Sequence, residues 1–339
     1  MKRTLIALAV TAAVAAPMVA QAAPKVYGKL NLSVEQYEKN YEDVSKLDEE
    51  YSRLQSNASR FGVKGEDELT ATLSAVYMIE WQVDGDTAGT TDLKGRNRYL
   101  GIKSQDLGTV KLGAYDTYLK LAQDKADLFN DLFGDMEYVI AGENRVNNVV
   151  GYESPKLLDA LQVNVMLQTQ DNSNTVAAPH QNGVSSSITY NNEDMGLYVA
   201  LAMDNNIHGK TALSGTRESD SLRLVATYKI GGLFLSGIYG VSEASTTAPG
   251  VPGFEETGMT FAAGYTIGDQ TIKVSYGVAE ADENTAAIQE RTLLNVGVDH
   301  NFTSKTKAYA FYTMREEDKL AANGDSDDAS IAVGLEHSF

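Results

Sequence analysis

Short segments with a two-residue hydrophobic period recur along the whole chain, and the connectors between them are alternately short and long. No run of ~18 apolar residues follows residue 22. Together these observations predict an all-β fold, a transmembrane antiparallel β-barrel of about sixteen strands. The end of the chain carries the pattern to its last residue. Ile331, Val333, Leu335 and Phe339 fall on one face, and Ser330, Ala332, Gly334, Glu336 and Ser338 on the other; only His337 interrupts the apolar row. A closed barrel needs such a strand, because the last must pair with the first and leave no edge.

Residues 1–22 read as a removable secretory signal. Lys2 and Arg3 supply a basic start, residues 5–14 an apolar core, and Ala20-Gln21-Ala22 a small-x-small cleavage pattern. Residues 23–339 then form one barrel domain, without a linker or a break in composition. The absence of Cys is compatible with export, since a barrel closed by its own hydrogen-bond ladder needs no disulfide. The formal net charge is −18, and more negative still once Lys2 and Arg3 are removed. That argues against a nucleic-acid partner, which would call for a basic surface.

The strands follow in order. The first is 25–38. Segments 54–66 and 70–82 form a hairpin over a short polar turn, as do 97–104 and 109–115. Segment 147–153 follows the longest connector and leads into 161–170. Then come 183–191 with 195–204, 219–230 with 233–242, and 257–267 with 271–279. Last are 291–300 with 306–315, and 328–339. In 161–170, Leu161, Val163, Val165 and Leu167 alternate with Gln162, Asn164 and Gln168. Leu222 and Leu224 likewise flank Arg223, and Ile272 and Val274 flank Lys273. The second face is too polar and too small for a sandwich core, and suits a water-filled lumen with lipid outside.

The long connectors are 39–53, 83–96, 116–145, 171–182, 205–218, 243–256, 280–290 and 316–327. Long loops on one rim and short turns on the other imply that the long ones face outside, with the termini on the short-turn side. Aromatics near strand ends are expected to form interfacial girdles: Tyr27, Tyr77, Trp81, Tyr99, Tyr152, Tyr228, Tyr265, Tyr309, Phe311 and Phe339.

Connector 116–145 mixes Asp127, Asp131, Asp135 and Glu137 with Leu128, Phe129, Leu132 and Phe133. The i, i+4 repeat of the apolar pairs predicts a short helix with an apolar face, and the only large surface available to it is the inner wall. The loop should therefore fold inward and constrict the pore, with those four acids in the channel. Alternation aims Lys29, Arg60, Lys64, Arg96, Arg98 and Lys111 at the lumen; a charge facing lipid at mid-membrane costs ~2–4 kcal/mol. Opposed charge rows would orient and sort solutes.

The segments Ser59-Arg60-Phe61-Gly62-Val63-Lys64-Gly65-Glu66 and Arg96-Asn97-Arg98-Tyr99-Leu100-Gly101-Ile102-Lys103 resemble the second and fourth strands of Gram-negative general-diffusion porins. Leu107–Gly113, Phe133-Gly134-Asp135, Arg145–Asn148 and Tyr152–Pro155 resemble their fifth strand, loop tip and sixth strand. This resemblance implies a sixteen-stranded outer-membrane homotrimer for passive diffusion of ions and small hydrophilic solutes. It also implies contact with lipid and lipopolysaccharide, and recognition of the strand ending in Phe339 by the barrel-assembly machinery. Arg60 and Arg96 match the family's basic constriction positions. Gly151 and Glu153 stand near a position where the family often carries Arg, which weakens the cationic wall.

Alternatives of other classes are a substrate-selective porin for anions, phosphate or sugars, and a non-conducting structural or adhesin barrel. The four histidines, His180, His208, His300 and His337, form no triad pattern, so an enzyme is not expected. No cofactor is expected, although the acidic outer loops could take up Ca²⁺ or Mg²⁺. Gly28, Gly62 and Gly101 are expected on the outer face, where small residues permit contact between copies.

Overall fold

The computed structural model describes residues 23–87, 93–169, 182–245, 253–282, 288–319 and 324–339. The expected signal segment, residues 1–22, and parts of several long connectors lie outside them. Seventeen strand segments close into one antiparallel barrel: β1 (Lys25–Tyr41), β2 (Glu49–Ser56), β3 (Arg60–Thr70), β4 (Leu73–Val83), β5 (Leu93–Ser104), β6 (Gly108–Asp116), β7 (Arg145–Glu153), β8 (Leu161–Gln168), β9 (Gly183–Asn192), β10 (Leu197–Lys210), β11 (Thr216–Ile230), β12 (Leu233–Ala244), β13 (Glu255–Ile267), β14 (Gln270–Ala281), β15 (Ile288–Thr303), β16 (Thr306–Lys319) and β17 (Ser326–Ser338). β2 and β3 are two halves of one barrel strand, since both pair with β1, so the barrel has sixteen strands.

The break between those halves falls at residues 57–59, within a segment expected to run straight from 54 to 66. Ala58 takes a left-handed φ of 49° there. Side chains supplement the broken ladder: Ser59 Oγ accepts from Asn31 N at 2.9 Å, and Asn57 Nδ2 donates to Ser33 Oγ at 2.7 Å.

Closure occurs between β1 and β17, which pair from Lys29–Ser338 to Tyr41–Ser326. Phe339 completes the seam. Its N–H donates to Gly28 O at 3.0 Å, and its ring lies so close to Gly28 that any Cβ there would collide with it. Gly28 faces outward as expected. Gly62 and Gly101 instead face the lumen, where Tyr27 and Lys111 lie across them.

Alternation places the faces correctly along most strands. Leu222 and Leu224 are about half exposed on the outer wall while Arg223 between them is 1% exposed. Val333 and Ala332 divide in the same way. Two-residue turns such as Gly231-Gly232 join strands at the terminal rim; Gly231 has φ +57°, the left-handed conformation that such hairpins require. Towards the other rim the strands outrun the sequence pattern. β10 and β11 extend to Lys210 and from Thr216, across most of the expected loop 205–218. Apart from the buried Ile207, the residues of that extension are polar or small, so period two fades where pairing continues.

The expected girdle is also divided. Trp81, Tyr152, Tyr228, Tyr265 and Phe339 lie outside, whereas Tyr27, Tyr99, Tyr309 and Phe311 face inward. The last two are buried beneath the long loop.

Candidate pore constriction

The connector between β6 and β7 folds into the lumen. Its apolar side chains Leu119, Ala122, Ala126, Met136, Val139 and Ile140 pack on Ala200, Ala202, Val225, Ile238 and Leu293 of the wall. Phe129 and Leu132 pack on Tyr309, Phe311 and Ala332. The expected helix around Leu128–Phe133 does not form. A short helix α1 (Tyr118–Leu121) and a 3-10 turn (Met136–Tyr138) flank consecutive turns. Asp131, with φ +66°, interrupts any helix between them.

A loop without a ladder leaves its carbonyls unpaired, and burying them unpaired would cost ~1–3 kcal/mol each. The wall satisfies them one after another. Tyr198 OH donates to Ala122 O (2.9 Å), Ser236 Oγ to Ala126 O (2.6 Å) and Lys273 Nζ to Leu128 O (2.9 Å). Asn295 Nδ2 donates to Gly134 O (2.9 Å), Arg315 to Phe133 O, and Arg223 to Leu119 O and Ala141 O. Arg223 also pairs with Glu143 at 2.7 Å, with both side chains under 5% exposed.

The loop thus follows the wall from β9 round to β1 and returns. Between it and the opposite wall lies a space of about 350 Å³, part of the passage through the barrel. Arg60, Glu80, Arg96 and Asp116 line the wall side; Lys120, Asp124 and Asp131 line the loop side. All three bases are ion-paired: Arg60 with Asp131 (2.6 Å), Arg96 with Glu80 (2.7 Å) and Lys120 with Glu143 (3.5 Å). Arg145 pairs with Asp116 at 2.9 Å, and Lys29 with Asp131 at 2.9 Å. Burial raises the Asp131 carboxyl, but Arg60 and Lys29 more than offset this and hold it below its ordinary range.

The residues expected at the constriction separate into groups. Lys29, Arg60, Arg96 and Asp131 meet there. Lys64 lies over the Tyr27 ring, and Lys111 pairs with Glu153 nearer the terminal rim. Glu137 is half exposed, 3.9 Å from Lys210. Asp127 and Asp135 do not face the channel. Asp127 accepts from Phe129 N and Met136 N, and Asp135 from Asp131 N and Glu137 N, so both hold turns together within the loop. Burial pushes Asp127 up to about 6; burial and the neighbouring Asp127 charge push Asp135 well up.

Arg98 is on the outer wall, in register with Ile79 and Ala114. The cause is a bulge: β5 has one residue more than β4 opposite Glu80, which reverses the alternation beyond it. Arg96 stays inside, Tyr99 turns inward beneath Lys111, and Arg98 turns out.

Glu80, Asp116, Asp124, Arg145 and Arg223 were not among the expected site residues. Alternation alone could have found Glu80, between Ile79 and Trp81, and Arg223. Nothing local marks Asp124, which is exposed at φ +46°. Among the described residues no three His, Asp or Glu side chains converge on a metal position.

A closed barrel narrowed by its own inward loop, with a charged passage beside it, defines a channel-forming outer-wall protein. The chain belongs to the Gram-negative porin family, whose model matches residues 7–320. It is 26% identical to the major outer membrane protein P.IB of Neisseria sicca over the full length of both. With outer membrane porin F of Escherichia coli K12 it shares 23% identity over 83% of each. The fold is that of an anion-selective porin from Comamonas acidovorans (TM-score 0.74, 18% identity, 94% of this chain and 99% of that one). It is also that of OmpT from Vibrio cholerae in its trimer form (TM-score 0.69, 17% identity, 93% and 99%). The protein is a porin of the bacterial outer membrane.

Proposed function

We propose that this porin passes ions and small hydrophilic solutes by general diffusion with a weak preference for cations. The observation that carries this reading is the charge balance of the passage. Its three bases are each tied to a carboxylate, while Asp124 lines it without an ion pair among the described residues. Paired bases present little net field to an anion, and a free carboxylate among acidic mouths raises the local cation concentration. The preference should fade with salt, as the screening length falls to ~3 Å at 1 M. Reversal potentials in a KCl gradient test this; a clear anion preference at low salt would overturn it.

A homotrimer fits the outer wall. Arg98 stands on the outer face beside an open cavity lined also by Ala114, Val150 and Thr169. Lipid is a poor neighbour for a guanidinium, and a second barrel wall is a better one. The trimeric form of the Vibrio cholerae OmpT supports this. Removal of residues 1–22, lipopolysaccharide contact at the outer loops, recognition of the terminal strand during assembly and a loop-bound divalent cation belong to the same reading. So does the absence of catalysis. Mass measurement in mild detergent tests the trimer, and a strictly monomeric mass would overturn it.

A further inference from the structure

Beneath α1, on the terminal-rim side of the loop, a second cavity of about 270 Å³ opens from the lumen against β8, β9 and β10. Its wall is unlike that of the passage. Between Tyr118 and Tyr198 it presents the amides of Gln162, Asn164 and Asn191 and the hydroxyls of Ser187 and Thr189. Asn164 is 8% exposed; its Nδ2 donates to Ser187 Oγ at 3.0 Å, while its buried Oδ1 has no partner. A buried acceptor left open costs free energy unless something donates to it.

Three charges border the cavity. Glu153 is satisfied by Lys111 and by Tyr118 OH. Asp124 and Lys156 are exposed, border the same space and make no ion pair with each other or with any other residue described. Around them the lumen's bases are mostly matched with acids, as the passage shows. A free carboxylate and a free ammonium on one small polar cavity are complementary to a solute that carries both charges.

We infer that this niche is a transient binding site for small zwitterions of the amino-acid or short-peptide type. The solute's ammonium faces Asp124, its carboxylate faces Lys156, and its N–H groups meet the amides between them, Asn164 Oδ1 included. Charge-assisted hydrogen bonds at both ends distinguish such a solute from a neutral polyol of the same size. The inference deepens the diffusion reading, since a site beside the passage would slow passing zwitterions.

Glycylglycine is the probe, with erythritol as the neutral control. In planar bilayers at 0.1 M KCl, glycylglycine should add concentration-dependent noise to the open-channel current, and erythritol should not. Asp124→Asn and Lys156→Gln should each weaken the effect about tenfold, the loss expected for one charge-assisted contact. Saturation-transfer NMR on the protein in detergent should show the same order without requiring conduction. Conduction without any glycylglycine effect overturns the inference and leaves the channel reading intact. Equal responses to erythritol, or unchanged responses in both variants, also overturn it. Saturation transfer in a protein that does not conduct supports the niche and overturns the channel reading instead.

Discussion

The Arg315 guanidinium lies over the Phe133 ring, 3.8 Å from its centre, and donates to the Phe133 carbonyl. One wall residue thus holds both the ring and the backbone of the loop tip. The contact belongs to a ladder of alternating arginines and aromatics across the inner wall. Arg53 lies over Tyr37 and Phe133, Arg315 over Phe133 and Tyr138, and Arg291 over Tyr138. Arg53 and Arg291 are neutralised by Glu35 and Glu317.

Replacing Arg315 should therefore loosen the loop and leave the barrel closed. Lys keeps the charge but lacks the planar guanidinium that stacks on a ring and donates at fixed angles. Arg315→Lys is expected to increase open-channel noise and lower the voltage at which channels close, with thermal unfolding of the barrel shifted little. Single-channel recording checks this.

Asp131, on the loop, joins two wall bases, Lys29 and Arg60. Asp131→Asn frees both and should shift the reversal potential towards anions at 0.1 M KCl. Arg96→Ala should do the reverse and raise conductance, because the passage widens and Glu80 loses its cationic partner. Asp135→Asn should change loop order more than selectivity, since that side chain binds loop N–H groups.

The Arg223–Glu143 pair is buried under the loop's return arm. Removing one partner of a buried pair typically costs ~3–5 kcal/mol, because the other charge is left without compensation. Glu143→Gln should accordingly speed hydrogen exchange at residues 139–144 well beyond that at the loop tip.

Loop docking should respond to pH. A carboxyl whose value is raised by docking binds its proton more tightly docked than free, so docking gains as pH falls through that value and loses as it rises. For Asp127 the window lies between its ordinary 3.8 and about 6. The Phe129 and Met136 amides, which donate to Asp127, should be better protected at pH 5 than at pH 7.5 after correction for intrinsic exchange. Asp131 runs the other way, but its depressed value keeps it ionised across that range.

By itself the sequence determined the barrel, its inner and outer faces, the seam strand and the inward loop. Lipid outside and water inside impose a period of two on every crossing, and a loop rich in Leu and Phe can bury them only against the wall. Lys29, Arg60, Arg96 and Asp131 were legible for that reason. What the tertiary structure decided was everything that depends on a break in the period or on contacts between distant strands. One extra residue in β5 sent Arg98 out and Tyr99 in. A left-handed Asp131 replaced the expected helix with turns, and the turns took Asp127 and Asp135 as internal caps. Arg315 met Phe133, 182 residues away in sequence, only because the loop crosses the lumen. Where the ladder is unbroken, alternation fixes which side a residue faces; which charge it meets there depends on closure, and closure is a property of all sixteen strands together.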